Sequence, residues 1–194
     1  MKKVINLFLF LAISYSIQAQ TTWTVDPSHS ELGFSVSHLT ISEINGNFKA
    51  FEGTLQSSKE DFSDAKISFT GEVNSINTEN DARDKHLTTE DFFYAEKHPK
   101  ITFVSTSFKK KTKEKYQLKG NLTLRGVTKS VTFDVNYGGI ITDAYGNTRA
   151  GFSATTTLNR IDYGVAWNAK TEHGGWTVGE TVALLLKLEF IKSK

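Results

Sequence analysis

Beyond its first nineteen residues the chain alternates apolar and polar side chains with a period of two almost without a break. This constrains the fold more than any other feature. A period of two places successive side chains on opposite faces of a strand, whereas an amphipathic helix needs 3.6. The clearest stretch is KYQLKGNLTLRGVTKSVTFDVNY, residues 115 to 137. Tyr116, Leu118, Leu122 and Leu124 share one face; Lys115, Gln117, Lys119 and Asn121 occupy the other. Arg125 and Gly126 sit at a turn, and Val127, Val131, Phe133, Val135 and Tyr137 resume the apolar face beyond it. This is a hairpin with one wet and one dry face.

The pattern recurs through Leu32, Phe34 and Val36, through Ile67, Phe69 and Val73, through Phe152, Ala154 and Leu158, and through Val182, Leu184, Leu186, Leu188 and Phe190. With NGNFKAFEGTL and KITFVSTSF added, about eight long strands are expected, enough for an antiparallel sheet that can close into a barrel. The two prolines, Pro27 and Pro99, each stand just before a strand, where a missing N–H does least harm.

One long stretch breaks the alternation. Between Asn77 and His98, Asn80 and Asp81 can cap a short helix through Leu87, and Thr89 with Glu90 and Asp91 can cap a second. A helical insertion is therefore expected around residues 79–96, and loops that long in a compact domain are functional or pack as a lid. Its core, DARDKHLTTEDFF, sets Arg83, Asp84 and His86 beside Phe92 and Phe93. Arg83 and Asp84 are assigned to positioning the lid, and the two phenylalanines to its apolar face. A second irregular stretch, residues 159 to 180, carries Trp167 and Trp176.

Lys2 and Lys3 precede the apolar run VINLFLFLAI, and Ile17 and Ala19 sit where a signal peptidase reads, so residues 1–19 are expected to be a cleaved signal peptide. Residues 20–194 are then a single soluble, exported domain. Setting Lys2 and Lys3 aside leaves 21 basic against 21 acidic residues, a net charge of zero. That balance removes the counterion-release term behind nucleic-acid binding. The basic run KKKTKEK is read as a solvated hairpin turn. The chain has no cysteine, hence neither disulfide nor thiol-linked lipid.

The five histidines, His29, His38, His86, His98 and His173, show no metal-ligand spacing, so no metal site and no catalytic cofactor are expected. Ser28, His29 and Ser30 are neighbours, yet no nucleophile elbow accompanies them, and no catalytic residue is assigned. His38 continues the Leu32, Phe34, Val36 face and is a candidate for hydrogen-bonding a ligand headgroup.

Six blocks in order, VDPSHSELGFSVSHL, GNFKAFEGTL, INTENDARDKHLTTEDFFYAEKHPKITFVSTSF, GNLTLRGVTKSVTFDV, NRIDYGVAW and VGETVALLLKLE, resemble the YceI-like family over nearly the whole exported chain. The resemblance implies an all-β fold, an extended eight-stranded antiparallel lipocalin-like β-barrel. It also implies a periplasmic location and a lumen that binds a long-chain isoprenoid lipid, either a polyisoprenoid or an isoprenoid quinone. Lipid exchange with a membrane and a homodimer accompany that reading. On it, the candidate ligand contacts are lumen residues: Phe34, Val36, Phe48, Phe69, Phe103, Leu118, Leu122, Phe133, Phe152, Leu184 and Leu186, with Phe92 and Phe93 at the mouth and Trp167 at its rim. Gly120 and Ala154 are the small positions expected to leave room for the ligand. Two other readings stay open: a protein-interaction module with a filled barrel, and a lipid hydrolase or metal enzyme.

Overall fold

In the computed structural model, residues 20–172 and 174–193 are described, and the signal-peptide expectation falls on residues 1–19, outside them. The alternating stretches are strands β1 (Thr21–Val25), β2 (Glu31–His38), β3 (Ser42–Phe48), β4 (Phe51–Ser57), β5 (Lys66–Glu72), β6 (Ile76–Asn77), β7 (Lys100–Lys110), β8 (Lys115–Leu124), β9 (Val127–Thr142), β10 (Thr148–Asn159) and β11 (Val178–Lys192). They build eight staves, because three are interrupted. A 3-10 turn at Pro27–His29 separates β1 from β2, Lys49 and Ala50 separate β3 from β4, and a 3-10 turn at Val73–Ser75 separates β5 from β6.

Every pairing is antiparallel, and the meander closes where β11 meets both halves of the first stave, Phe190 against Val25 and Leu186 against Leu32. The β1–β11 pairing closes the ladder at the base, while towards the mouth the sheet ends at β3 and β6. Irregularities in the ladder supply curvature. One lies in β7 between Ser105 and Ser107, one opposite Gly151 on β9, and one in β11 between Val178 and Val182. The β7 bulge also resets the alternation, so that Phe103 and Phe108, five residues apart, both turn inward and are buried.

The two ends differ. At the base, the loop between β4 and β5 drives Phe62 into the barrel, where it is 2% exposed and meets Trp23, Tyr137 and Phe152 edge-on at ring separations of 5.3 to 5.7 Å. Tyr116 stacks on Phe108 beside this plug and donates its hydroxyl to the Asp61 carbonyl at 2.7 Å. The other end, the mouth, collects the β2–β3 turn, the β6–β7 segment, the β8–β9 turn and the β10–β11 loop.

The β6–β7 segment is more than a cap. β6 is two residues long and pairs with β3 alone, and β7 begins only at Lys100. Beside the upper half of β3 the wall is therefore completed by residues 78–98. Within them one helix forms, α1 (Asp81–Leu87), with Asn80 Oδ1 accepting from the Arg83 N–H at 3.0 Å as its N-cap. The second helix expected from Thr89 is absent. Residues 88–97 turn irregularly, with Tyr94 and Ala95 donating back to Thr89 and Thr88, and Tyr94 has φ of 53°, a left-handed conformation that no α-helix continues through.

Candidate functional site

The dry faces of the staves do not meet at the centre. They leave a cavity of about 200 Å³ whose exposed lining is wholly apolar. Ala154 on β10, between Val135 and Leu186, is part of the wall, as are Phe34, Val36, Phe48, Phe69, Phe103, Leu118, Leu122, Phe133, Phe152, Leu184 and Leu186. Phe92 and Phe93 close the wall at the mouth together with Leu87 of α1, and Phe93 meets Phe48 edge-on at 5.9 Å.

Three expected contacts lie elsewhere. Gly120 faces inward but borders no free space, because the Phe103 ring and the Val104 carbonyl occupy the volume a side chain would take. His38 is the last residue of β2, opposite the bulged part of β11, and stands beyond the cavity wall. Trp167 lies outside the mouth aromatics: it packs on Phe92 at 5.2 Å and on His86 at 5.1 Å and touches no cavity space. A period-two reading cannot tell the first layer of a mouth from the second, which explains the Trp167 placement.

Arg83 and Asp84 converge on one residue. Asp84 Oδ1 accepts from both the backbone N–H and the hydroxyl of Thr78, at 2.9 and 2.5 Å. Arg83 donates to the Thr78 hydroxyl at 2.7 Å and to its carbonyl at 2.6 Å. The helix is thereby fastened to the end of β6. His86 bonds Asp91 at 2.8 Å across the turn that presents Phe92.

Two further arginines organise the mouth and were not singled out by pattern. Arg125, at the tip of the β8–β9 turn with φ of 50°, donates to the Glu90 carbonyl and to the Gly164 carbonyl, both at 2.7 Å. It thus joins the lid segment to the β10–β11 loop. Arg160 is 4% exposed and borders the cavity. It donates to four carbonyls, those of Val165, Trp167, Val178 and Gly179, at 2.6 to 3.2 Å. Burial pulls its pKa below the ordinary arginine value, with Glu180 opposing the shift. Its donors are directed at backbone, so it shapes the loop and presents no polar atom to the lumen. A lone arginine after a strand carries no sequence signal for this role; Val165 and Phe108 in the wall were hidden likewise, by an irregular loop and by a bulge.

The cluster at the base end has a different character. Asp26, His29 and Glu189 present oxygen and nitrogen atoms within 4.8 Å of one another, a spacing compatible with a metal ion. Arg149 already supplies the positive charge there, donating to Asp26 at 2.8 Å, Glu189 at 2.5 Å and Asp143 at 2.6 Å. The Ser28 hydroxyl above all, with His29 and Arg149, holds the Asp26 carboxyl well below the usual range against the effect of burial. Ser28 and Asp26 approach the same ring nitrogen of His29, Nδ1, at 3.1 and 2.9 Å. A relay triad needs opposite nitrogens, so this is a hydrogen-bonded turn and not the Ser–His–Asp geometry of a hydrolase.

A closed antiparallel barrel with an apolar lumen, a plugged base and a helical segment across its mouth defines a class of barrels built around an internal cavity. The chain belongs to the YceI-like family, whose model matches residues 23–190. A UPF0312 protein of Staphylococcus aureus is 37% identical over 171 residues, covering 88% of this chain and 97% of the relative. The YceI protein of Campylobacter jejuni superimposes with a TM-score of 0.70 at 30% identity, covering 94% of this chain and 99% of that one. A polyisoprenoid-binding domain from Saccharophagus degradans shares the fold, with a TM-score of 0.67 at 15% identity, covering 88% of this chain and 98% of that one.

Proposed function

We propose that the protein binds a long-chain apolar lipid in its lumen, a polyisoprenoid or an isoprenoid quinone, and carries or stores it in the periplasm without covalent chemistry. The observation that carries this reading is the cavity. An empty apolar void costs about 24 cal/mol per Å³, so one of about 200 Å³ costs on the order of 5 kcal/mol, comparable with the net stability of many domains. A ligand that fills it offsets that cost.

The shape and chemistry of the lumen narrow the choice. The lining offers no hydrogen-bonding surface, so the part of the ligand inside is hydrocarbon and a polar head must stay at the mouth. A strand of ten residues, the length of β8, rises roughly 33 Å, long enough for a chain of several isoprene units along the axis. The S. degradans domain of the same fold is described as polyisoprenoid-binding, which supports the same ligand class. A filled barrel that acts only through its loops is the rival reading, and the cavity speaks against it.

Native purification, solvent extraction and mass spectrometry test the proposal. A stoichiometric isoprenoid in the extract is the expected result. Protein purified without any lipid, and unable to take up a polyene or quinone in solution, overturns it.

A further inference from the structure

Ten large apolar residues are exposed among the described residues, and five of them stand at the mouth. Val127 begins β9, Ile161 lies in the turn after β10, Trp176 in the β10–β11 loop, and Leu39 and Ile41 in the β2–β3 turn. The corresponding staves are consecutive around the barrel, β9, β10, β11, β2 and β3, so the five form one arc of rim, and the lid segment completes the circle. The Leu39 N–H bonds the Thr177 carbonyl at 2.9 Å, which ties two members of the arc together.

Ile41 is 83% exposed, at the tip of a hairpin whose preceding residues, Leu39 and Thr40, both have positive φ, 53° and 61°. Such a turn favours Asn-Gly. An apolar and β-branched pair there is held at a conformational cost, and the conformation keeps Ile41 pointing outward for no gain in packing.

We infer that this rim is a docking face for the surface of a lipid bilayer, set so that the mouth opens toward the membrane. The inference rests in part on the lipid-carrier reading. Three observations favour a bilayer over a protein partner. The exposed fractions amount to roughly 400–500 Å², about half the ~800 Å² per partner of a specific protein interface, and they come as separate points from three connections between strands, which suits shallow insertion. The composition is aliphatic with one half-exposed tryptophan, Trp176, and Lys170 lies over its ring at 5.9 Å, an arrangement suited to a membrane interface where the ring is partly immersed and the ammonium stays wet. The base is plugged by the Phe62 cluster, so an apolar ligand leaves through the mouth and meets this surface first.

The charges on the arc set the lipid class. Lys129 pairs with Asp162 at 3.4 Å, Lys170 is engaged by Trp176, and Glu43, Glu172 and Glu180 add acidic groups. Among the described residues of the arc, Lys129, Lys170 and Arg125 stand with Asp162, Glu43, Glu172 and Glu180, so acidic groups at least match the basic ones and the face fits a zwitterionic bilayer bound chiefly by insertion.

Flotation with phosphatidylcholine vesicles tests this, using the exported chain. Wild type is expected to float at both low and high salt, with a blue shift of Trp176 emission. Ile41→Asp is expected to lower the partition coefficient about tenfold or more, since a fully hydrated side chain replaces an inserted one. Ile141→Asp, which alters another well-exposed isoleucine, at the base end, should float like wild type. Uptake of a fluorescent polyene in vesicle-free solution is measured on the same proteins. Wild type that takes up the polyene yet fails to float overturns docking and leaves the carrier reading intact; floating without polyene uptake does the reverse. Equal loss in both variants, binding that requires anionic lipid, or concentration-dependent self-association that buries the rim would each overturn the docking face.

Discussion

The ring of Phe103 packs against the backbone of Gly120, two residues along the neighbouring strand from the residue that Phe103 directly opposes, so closely that a Cβ on Gly120 would collide with the ring edge and sit 2.5 Å from the Val104 carbonyl oxygen. Phe34 over Gly46 and Phe69 over Gly53 place a ring on a glycine in the same way on other staves, there between directly opposed residues. Glycine here makes room for an aromatic wall rather than for the ligand, and the ring covers the backbone that glycine leaves bare. Gly120→Ala is expected to destabilise the fold by about 1–3 kcal/mol through overpacking. Chemical denaturation checks it, and Phe103→Leu in the same chain should recover part of the loss, though not the part due to the Val104 carbonyl.

Ala154 is a different kind of small residue. It borders free lumen, and a larger side chain grows into the cavity. Ala154→Trp should abolish uptake of a polyene or quinone while the barrel still melts cooperatively. A folded variant that binds like wild type would remove Ala154 from the ligand's path.

The lid segment is held by few polar links and by aromatic packing, so it should open by losing apolar contacts. Phe92→Ala with Phe93→Ala is expected to speed probe release most, because each ring withdraws a large apolar area from water. Asp84→Asn should speed it less, by weakening the hold on Thr78, and Arg125→Met should act similarly through Glu90. Stopped-flow release of a fluorescent polyene ranks the variants, and equal rates throughout would mean that ligands do not pass this way.

The base cluster predicts a pH effect. Asp26 and Asp143 are both held below the ordinary carboxylate range, Asp143 chiefly by its bond to Arg149. Carboxyls with lowered folded pKa values contribute stability that is complete above the unfolded pKa, about 3.9, and is lost as pH falls through the folded values. Arg149→Met removes a cause of the lowering, so its acid unfolding midpoint should shift to higher pH, with little change in the sign of the profile near neutrality. Circular dichroism between pH 1.5 and 7 reads the shift.

The sequence by itself determined the staves and their inward faces, because a strand's two faces are a local property of alternation and burial. Phe34, Phe69, Leu118, Leu122 and Leu184 were legible for that reason, and so was α1 with its Asn80 cap. Tertiary structure decided what local pattern does not encode. Whether inward residues meet or leave a void depends on the radius set by closure and bulges: Gly120 lies beneath a ring, Ala154 beside open space, and Phe108 turns inward only because β7 bulges. Whether a mouth aromatic is first or second layer depends on how loops from distant staves stack, which puts Phe92 in the wall and Trp167 behind it. Arg125 and Arg160 bond carbonyls up to 39 residues away in the chain, partners that exist only once the barrel has closed.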